Sequence, residues 1–273
     1  MSIQLQLKKA EGIHMLGRIE KDIRYQIFKL CHEAGGGHIA SSLSMVEILW
    51  SIFSTHYKPP HDRFLLSSCQ GALALYCVQH TLKTPDFKLT DFLKEGSNLT
   101  MFPNTDLPFS DMTSGSLGHG ISMAVGMALH KKFNAVVGDT LYVVVGDGEL
   151  DEGSNWEGIM AAAHFSISNL IIIINYNKVQ IDGTTATVMN IEPLIDKLTS
   201  FGCTVFSVDG HNTKEIIDTI TSIKQKNTEG PSVLIAHTIK GHGISFCAKD
   251  LSWHYRVPTK LELDFVKQEL DCH

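Results

Sequence analysis

The sequence predicts a doubly wound α/β fold, in which helices cover both faces of a mostly parallel sheet. Two apolar runs, at residues 141–145 and 170–175, have the length and composition of buried strands, and a helical segment separates them. Strands and helices continue to alternate up to residue 237, which is typical of parallel sheets. The chain has 273 residues, of which 43% are hydrophobic, and no clear linker interrupts it. We therefore expect one domain over residues 1–273.

The first part of the chain contains fewer regular elements. Apolar residues at helical spacing predict a helix over residues 11–32, which we expect to be peripheral. Ser44 and Glu47 have the spacing of a capping box, so we expect Ser44 to cap the next helix. Residues 62–67 have the pattern of a short strand, and residues 71–82 have that of a helix.

An irregular segment separates this part from the regular alternation. Residues 84–114 are polar and rich in proline, and a loop of this length inside a domain is usually functional or disordered. A glycine-rich stretch at residues 115–120 then opens a helix that we expect to end near Lys132. The later elements are predicted as strands at 141–145, 170–175, 204–208 and 232–237, helices at 154–166 and 213–226, and a peripheral tail at 259–273.

Composition and charge exclude several classes of function. The formal net charge is −6 at pH 7 and the basic residues form no stripe, so we expect no general affinity for nucleic acid. No apolar stretch approaches the roughly 20 residues of a membrane span, and the N-terminus has no apolar signal core. The six cysteines show no metal-site spacing. These features predict a cytoplasmic protein without a membrane partner.

Polar residues that can bind a metal follow two of the predicted strands. Asp147 lies between two glycines after the strand at residues 141–145, and Asn177 follows the strand at residues 170–175. In an open parallel sheet, ligands bind beyond the carboxyl ends of the strands. Carboxylate and amide oxygens suit Mg²⁺ or Ca²⁺, and a backbone carbonyl from residues 179–183 can add a third ligand. The first motif alone is more typical of a tight turn, but the pair favours a site for magnesium and a diphosphate.

Several segments together resemble the thiamine diphosphate enzymes of the transketolase type. The stretches GDGELDEGSNWEG at residues 146–158 and NYNKVQIDG at residues 175–183 are similar to the cofactor signature of that family. Further segments agree with the family in order: GGGHIASSLSMVEIL, DRFLLSSCQGALALY, SGSLGHGISMAVGMAL and IKGHGISFCAKDLSWH. The resemblance extends from about residue 12 to residue 258 and implies the diphosphate-binding module of that family.

The resemblance implies a role for each matching residue. Asp147, Asn177 and the carbonyl of Val179 match the metal ligands. The residues that match contacts to thiamine diphosphate are Gln70, Gly115, Leu117, Gly148, Glu149, Asn177, Ile181 and His254. The catalytic residues that the family implies are His38, Glu152, Glu157 and His254. Among these, His38 matches a histidine that faces the substrate carbonyl, and an imidazole suits proton transfer near neutral pH.

Glu152 and Glu157 match paired acids that connect the two active sites across the family's dimer. Such acids can relay a proton or a charge between the two cofactors. Without the resemblance, Glu152 would be interpreted as an acid that is favoured at a helix N-terminus, and Glu157 as part of a solvated helix face.

The chain departs from the family at two positions that usually hold histidine. Gln70 occupies the first and still offers an amide donor, so a hydrogen bond to the diphosphate can persist. Phe102 occupies the second, which in the family contacts the hydroxyl of the transferred two-carbon unit, and a phenyl ring cannot donate. Two interpretations remain open. Either the donor is pyruvate or another 2-oxo acid, which lacks that hydroxyl, or a neighbour such as Asn104 or His119 supplies the contact.

The family also implies active-site parts outside this chain. The glutamate that activates the cofactor and the arginines that bind the sugar phosphate belong to a pyrimidine-binding domain. We therefore expect a transketolase-like transferase subunit that is inactive alone and joins a second polypeptide carrying that domain, as an α₂β₂ assembly. It would transfer a two-carbon unit from a ketose or 2-oxo acid to an aldehyde. The alternatives are an E1-type 2-oxo acid decarboxylase subunit and a catalytically degenerate cofactor-binding subunit.

Overall fold

One parallel sheet forms the centre of the described part of the chain. The structure is a computed structural model that describes residues 17–84, 87–134, 139–226 and 228–272. The strands are β1 (Arg63–Leu66), β2 (Leu141–Gly146), β3 (Leu170–Tyr176), β4 (Thr204–Asp209) and β5 (Ser232–His237). They lie in the order β1-β2-β3-β5-β4, and each neighbouring pair is parallel.

Helices connect these strands and flank the sheet. They are α1 (Arg18–Ala34), α2 (Ile39–Ser44), α3 (Val46–Ser51), α4 (Ala72–Thr81), α5 (Gly120–Phe133), α6 (Gly153–His164), α7 (Thr185–Val188), α8 (Leu194–Ser200), α9 (Thr213–Gln225) and α10 (Lys260–Glu269). The elements predicted between residues 62 and 237 lie within two residues of their expected ends. Among the described residues, no helix has the length and apolar character that crossing a membrane requires.

Both faces of the sheet are covered, which confirms the doubly wound α/β class. On β2, Tyr142 and Val144 are buried in one apolar cluster, and Val143 and Val145 are buried in another. The first cluster gathers α1 to α4, α9 and α10, and the second gathers α5, α6 and α8. Because successive side chains of a strand point to opposite faces, a strand covered on both sides is apolar throughout.

The two terminal helices contribute to the core, contrary to the expectation that they are peripheral. Ile23 and Ile27 of α1, and Leu263 and Val266 of α10, are buried in the first cluster. Full burial of such a side chain contributes about 1.5–3 kcal/mol, so both helices are integral to this layer. Residues 11–16 of the first predicted helix and residue 273 of the predicted tail lie outside the described residues.

The capping box predicted at Ser44 is wrong. Ser44 is the last residue of α2, and its hydroxyl donates to the carbonyl of Ser41 at 2.8 Å. Glu47 is 1% exposed, and its Oε1 lies 2.7 Å from Nη2 of Arg24, so its carboxylate is drawn away from the helix N-terminus. A capping box occurs instead at the start of α10, between Thr259 and Glu262.

The segment between α4 and α5, predicted to be irregular, follows the surface in a series of turns. Its regular structure within residues 87–119 is limited to a 3₁₀ turn at Leu89–Asp91. Leu99, Leu107 and Phe109 are buried in the first cluster and attach the segment to the core. Residues 85–86 lie outside the described residues.

Candidate active site

The end of β2 brings Asp147 against the turn that follows β3. In the register of the two strands Gly146 pairs with Asn175, and the N–H of Asp147 donates to the carbonyl of Asn175 at 3.2 Å. The carboxylate of Asp147 is 2% exposed and accepts the N–H groups of Gly148 at 2.9 Å and Lys178 at 2.5 Å. One acidic side chain therefore organises both turns of the predicted metal site.

The turn after β3 carries the two other oxygen atoms that are predicted as metal ligands. Oδ1 of Asn177 accepts the N–H of Val179 at 2.9 Å. The carbonyl of Val179 lies 3.5 Å from the ammonium of Lys240, which also donates to the carbonyl of Gln180 at 3.0 Å. Asp147, Asn177 and Val179 all line one cavity, so the structure brings the three predicted metal ligands together.

Lys240 is the main site residue that sequence analysis missed. It is 8% exposed, lies three residues beyond the end of β5 and reaches the edge of the sheet where Asp147 lies. Burial lowers the pKa of Lys240 to about 8, and the charge of Asp147 opposes that shift. Burial raises the pKa of Asp147 to about 6, although hydrogen bonds from Lys178 and Gly148 and the charge of Lys240 oppose it. The sequence feature that could have indicated Lys240 is its position just after a buried parallel strand.

Most of the predicted cofactor residues line the same cavity. Its wall includes Gln70, Leu117, Asp147, Gly148, Glu149, Asn177, Val179, Ile181 and His254, all of them predicted. It also includes Ser41, three residues after His38, which was not predicted. Gly115 is outside this wall, and a Cβ on it would lie 3.9 Å from the ring of Phe102. The structure therefore gathers the predicted set with the exception of Gly115.

Gly148 lies against the side chain of Gln180 in the turn that follows β3. A Cβ at this position would lie 2.8 Å from Cγ of Gln180, so a larger residue would force that side chain to shift. The glycine leaves space for this side chain and does not serve an unusual backbone conformation.

His38 and His254 form an aromatic cluster at one side of the cavity. Their ring centroids lie 5.4 Å apart, and His38 lies 5.7 Å from the ring of Phe102 and 5.1 Å from that of Tyr255. Nδ1 of each histidine is buried and has no hydrogen-bond partner among the described residues. Burial, followed by the charge of Lys240, lowers the pKa of each histidine to about 4. Both rings are therefore neutral at pH 7, with nitrogens available to a ligand.

The carboxylate of Glu149 accepts hydrogen bonds within the chain, and its predicted contact with the cofactor stays a prediction. One oxygen accepts the hydroxyl of Ser67 and the N–H of Gly118 at 2.9 Å, and the other accepts the N–H of Gly146 at 3.3 Å. Burial raises the pKa of Glu149, and these three hydrogen bonds oppose that shift. Glu149 therefore positions the loop that carries Leu117 against the end of β2.

Glu152 and Glu157 lie away from the cavity within this chain. Glu152 is the N-cap residue of α6 and Glu157 lies within that helix, and both side chains are exposed. Met160 on α6 and Met123 on α5 are also exposed, at 54% and 39%. The structure places these acids on an exposed surface of α6, and their predicted catalytic role is not explained by contacts within one chain.

Fold and site together define a diphosphate-binding α/β module. A buried lysine lies beside side-chain and carbonyl oxygens at adjacent strand ends, an arrangement that suits a metal-bound diphosphate. The family model described as "Transketolase, thiamine diphosphate binding domain" matches residues 17–270. The chain belongs to this family, which confirms the predicted transketolase-family subunit and its thiamine diphosphate-binding domain.

Relatives in two bacteria match nearly the whole chain. The chain is 35% identical to an apulose-4-phosphate transketolase subunit of Phocaeicola vulgatus, over 90% of each chain. It is 38% identical to a 6-deoxy-6-sulfo-D-fructose transketolase subunit of a Clostridium species, over 88% of this chain and 89% of the relative. Both relatives are named as subunits rather than as complete enzymes.

Solved transketolases share the fold. The transketolase of Leishmania mexicana superposes with a TM-score of 0.84 at 24% identity, and the match covers 94% of this chain. The same match covers 42% of the Leishmania chain, so the chain spans less than half the length of that enzyme.

The described residues fit a diphosphate cofactor with a divalent metal. Asp147, Asn177 and Val179 supply hard oxygen atoms, which suit Mg²⁺. Lys240 supplies a buried positive charge for a phosphate group. The buried Nδ1 atoms of His38 and His254 lack partners among the described residues, and a polar ligand would provide them.

Proposed function

We propose that this chain is the cofactor-binding subunit of a two-polypeptide transketolase, which transfers a two-carbon unit from a ketose to an aldehyde. The observation that carries this proposal is the meeting of Asp147, Asn177, Val179 and Lys240 at one sheet edge, in a chain of the transketolase family. The two relatives named as transketolase subunits support the division into separate polypeptides.

Each cavity residue has a distinct part in this proposal. Asp147, Asn177 and the carbonyl of Val179 hold Mg²⁺, with Ca²⁺ as a substitute, while Lys240 and His254 bind the diphosphate. Thiamine diphosphate supplies the electron sink for cleaving the carbon–carbon bond beside the donor carbonyl. The neutral imidazole of His38 holds or moves a proton at the substrate oxygen, which its low pKa permits at pH 7.

A second polypeptide completes the active site in this proposal. It carries the pyrimidine-binding domain and the activating glutamate, and two copies of each chain form an α₂β₂ enzyme. The exposed Glu152, Glu157, Met123 and Met160 support a large interface on the surface of α5 and α6. All six cysteines are buried free thiols, which supports a reducing compartment and hence the cytoplasm.

The donor is a ketose in the first form of the proposal and a 2-oxo acid in the second. The names of the relatives support a ketose that carries a phosphate or sulfonate. The second form rests on Phe102, whose apolar ring stacks near His38 and offers no hydrogen bond to a donor hydroxyl. The E1-type alternative has less support, because the matching family model is that of transketolase.

Co-expression with the pyrimidine-domain chain tests this function. Calorimetry should detect Mg²⁺-dependent binding of thiamine diphosphate, and the purified complex should turn over a ketose phosphate with an aldehyde acceptor. The chain alone should show no turnover. Tight cofactor binding without turnover on any donor would instead support a degenerate subunit, and robust turnover by the isolated chain would contradict the two-polypeptide proposal.

A further inference from the structure

The turn Ile239–His242 carries Lys240 from the end of β5 to the cavity. The N–H of His242 donates to the carbonyl of Ile239 at 3.1 Å, and Gly241 in the third position has a φ of +78°. A Cβ on Gly241 would also lie 2.6 Å from the backbone of Cys247. This turn therefore requires glycine, and it fixes the direction in which Lys240 leaves the backbone.

Two buried side chains outside the cavity wall hold this turn. The N–H of Ile239 donates to Nε2 of His211 at 2.8 Å. Nε of Arg24 donates to the carbonyl of His242 at 2.9 Å. Lys240 therefore lies between two residues whose backbones are tethered, while its own ammonium contacts the turn that follows β3.

Both tethers meet at the carboxylate of Glu47. Nδ1 of His211 lies 3.0 Å from Oε2 of Glu47, and Nη2 of Arg24 lies 2.7 Å from Oε1 as a charge contact. Because Nε2 of His211 accepts the N–H of Ile239, its ring proton is on Nδ1 and points to Glu47. Burial alone would raise the pKa of Glu47, but Arg24 and His211 hold that pKa at about 2.

Stability alone is a weak explanation for this buried network. Arg24 and Glu47 are 0% and 1% exposed, and replacing a buried ion pair by apolar residues is often neutral or stabilising. None of Arg24, Glu47 and His211 lies in the cavity wall formed by the described residues. They come from α1, α3 and the loop between β4 and α9. Arg24 and His211 each bond to the turn of Lys240, and Glu47 joins the two.

We propose that Arg24, Glu47 and His211 are positioning residues, which lock the turn Ile239–His242 so that Lys240 is held at the diphosphate. This inference rests on the proposed function, since it assigns the network a role in cofactor affinity. It predicts that breaking a tether weakens thiamine diphosphate binding only as long as Lys240 is present.

Two substitutions at His211 separate its two hydrogen bonds. In His211→Asn the amide nitrogen takes the place of Nδ1 and still donates to Glu47, but the N–H of Ile239 loses its acceptor. In His211→Gln the amide oxygen takes the place of Nε2 and keeps the bond to Ile239. We expect Kd for thiamine diphosphate to rise about tenfold in His211→Asn and to rise less in His211→Gln, which loses only the bond to Glu47.

Calorimetry of Mg²⁺ and thiamine diphosphate binding to the complex with its partner chain tests the inference. The measurement includes Lys240→Met, the double variant with His211→Asn, and Ile220→Val as a variant of a buried core residue in α9. The tenfold effect of His211→Asn should disappear in the Lys240→Met background. Arg24→Lys, which loses the Nε donor to His242, provides a second tether variant if His211→Asn does not fold.

The outcomes separate the positioning role from the proposed function. The positioning role is overturned if Kd is unchanged in His211→Asn and Arg24→Lys, or if the rise in Kd persists without Lys240. In either case, cofactor binding by the wild-type complex leaves the proposed function intact. A similar rise in Kd for Ile220→Val would also overturn it, because general destabilisation would then explain the effect. Absence of cofactor binding by the wild-type complex would overturn the proposed function and this inference with it.

Discussion

The carboxylate of Asp147 accepts the backbone N–H of Lys178, so the end of β2 is joined directly to the turn that follows β3. This bond makes the geometry of one proposed metal ligand depend on that of the next, because Asn177 immediately precedes Lys178. Burial raises the pKa of Asp147 to about 6, which means that the ionised carboxylate is disfavoured there. A bound divalent cation would offset this penalty.

Asp147→Asn should abolish metal-dependent cofactor binding with little loss of stability. The amide lacks the negative charge that a divalent cation favours and keeps one of the two accepted hydrogen bonds, while removal of a buried charge offsets loss of the other hydrogen bond. We expect affinity for Mg²⁺ and thiamine diphosphate to fall at least about 100-fold, and the free energy of unfolding to change by less than about 1 kcal/mol. Calorimetry and urea unfolding provide the two measurements.

Asp62→Asn is the matched control for that substitution. Asp62 is also 2% exposed and also accepts two backbone N–H groups, from Lys58 at 3.0 Å and Thr140 at 2.8 Å, but it precedes β1 at the other edge of the sheet. The variant also loses the charge contact with Lys224 at 4.0 Å, so it should lose about 1–3 kcal/mol of stability and keep its cofactor affinity. Equal affinity losses in both variants would show that Asp147 has no special role.

Glu149→Gln should destabilise the protein and weaken cofactor binding together. Its carboxylate accepts hydrogen bonds from Ser67, Gly118 and Gly146. The NH₂ group of a glutamine would point at one of these donors, and that hydrogen bond would be lost. We expect a loss of about 2 kcal/mol in the free energy of unfolding and a higher Kd, because the loop with Leu117 is released. Glu152→Gln, at an exposed position, should leave the unfolding curve unchanged. A fully stable Glu149→Gln would contradict the positioning role.

The parts of the site that sequence predicted are those encoded locally. The turns with Asp147 and Asn177 each directly follow an apolar strand, so the strand pattern alone places them at one sheet edge. Lys240 and the hydrogen bonds of Glu149 depend on partners that are distant in sequence, such as Val179 and Gly118. No spacing rule reveals such pairs.

The error at Ser44 has the same physical origin. The spacing of Ser44 and Glu47 satisfies the local rule for a capping box, but Arg24 and His211 offer Glu47 a buried charge and a hydrogen bond. Tertiary contacts therefore override the local preference. The doubly wound class was predictable because both of its determinants, apolar strands and intervening amphipathic helices, are properties of contiguous segments.

Glu157→Gln should lower the turnover of the assembled enzyme without changing the stability of the isolated chain. The side chain of Glu157 is exposed, so the isolated chain should unfold within about 0.5 kcal/mol of the wild type. If the acid acts across an interface, turnover of the assembled enzyme should fall by about tenfold or more. Glu33→Gln, exposed on α1, is the control and should change neither quantity. Full activity of the assembled Glu157→Gln enzyme would contradict this role and would show that Glu157 is part of a solvated helix face.

Three histidines of low pKa make stability depend on pH. Burial lowers the pKa of His38 and His254 to about 4 and that of His242 to about 3. Each ring is neutral in the folded protein and binds a proton on unfolding below about pH 6.5. Its contribution to the free energy of unfolding is therefore present above about pH 6.5 and is lost as pH falls towards the pKa of the folded state. Asp147 acts in the opposite direction. Its pKa is raised to about 6, so the stability that it contributes is lost as pH rises towards that value.

His242→Asn isolates one of these contributions. The ring of His242 stacks on that of His211 with centroids 3.5 Å apart. Burial, followed by the charges of His211 and Arg24, lowers the pKa of His242, and the charge of Glu47 opposes this. Below pH 6.5 the wild type should lose about 1.4 kcal/mol per pH unit more than this variant. Urea unfolding at pH 7, 6 and 5 measures the two slopes. His164→Asn, at an exposed position, should keep the wild-type slope, and equal slopes in all three proteins would contradict the prediction.

Phe102→His should shift donor preference towards hydroxylated ketoses. The ring of Phe102 lies 5.7 Å from that of His38, so an imidazole in its place would bring a hydrogen-bond donor to the side of the cavity where His38 and His254 lie. One hydrogen bond to the donor hydroxyl contributes about 1.4 kcal/mol, or about tenfold in kcat/KM for xylulose 5-phosphate relative to pyruvate. The assay compares both donors on the wild-type and variant complexes with one aldehyde acceptor. If the wild type already prefers xylulose 5-phosphate and the variant does not increase that preference, a neighbour such as Asn104 or His119 supplies the contact, and the 2-oxo acid form of the proposal fails.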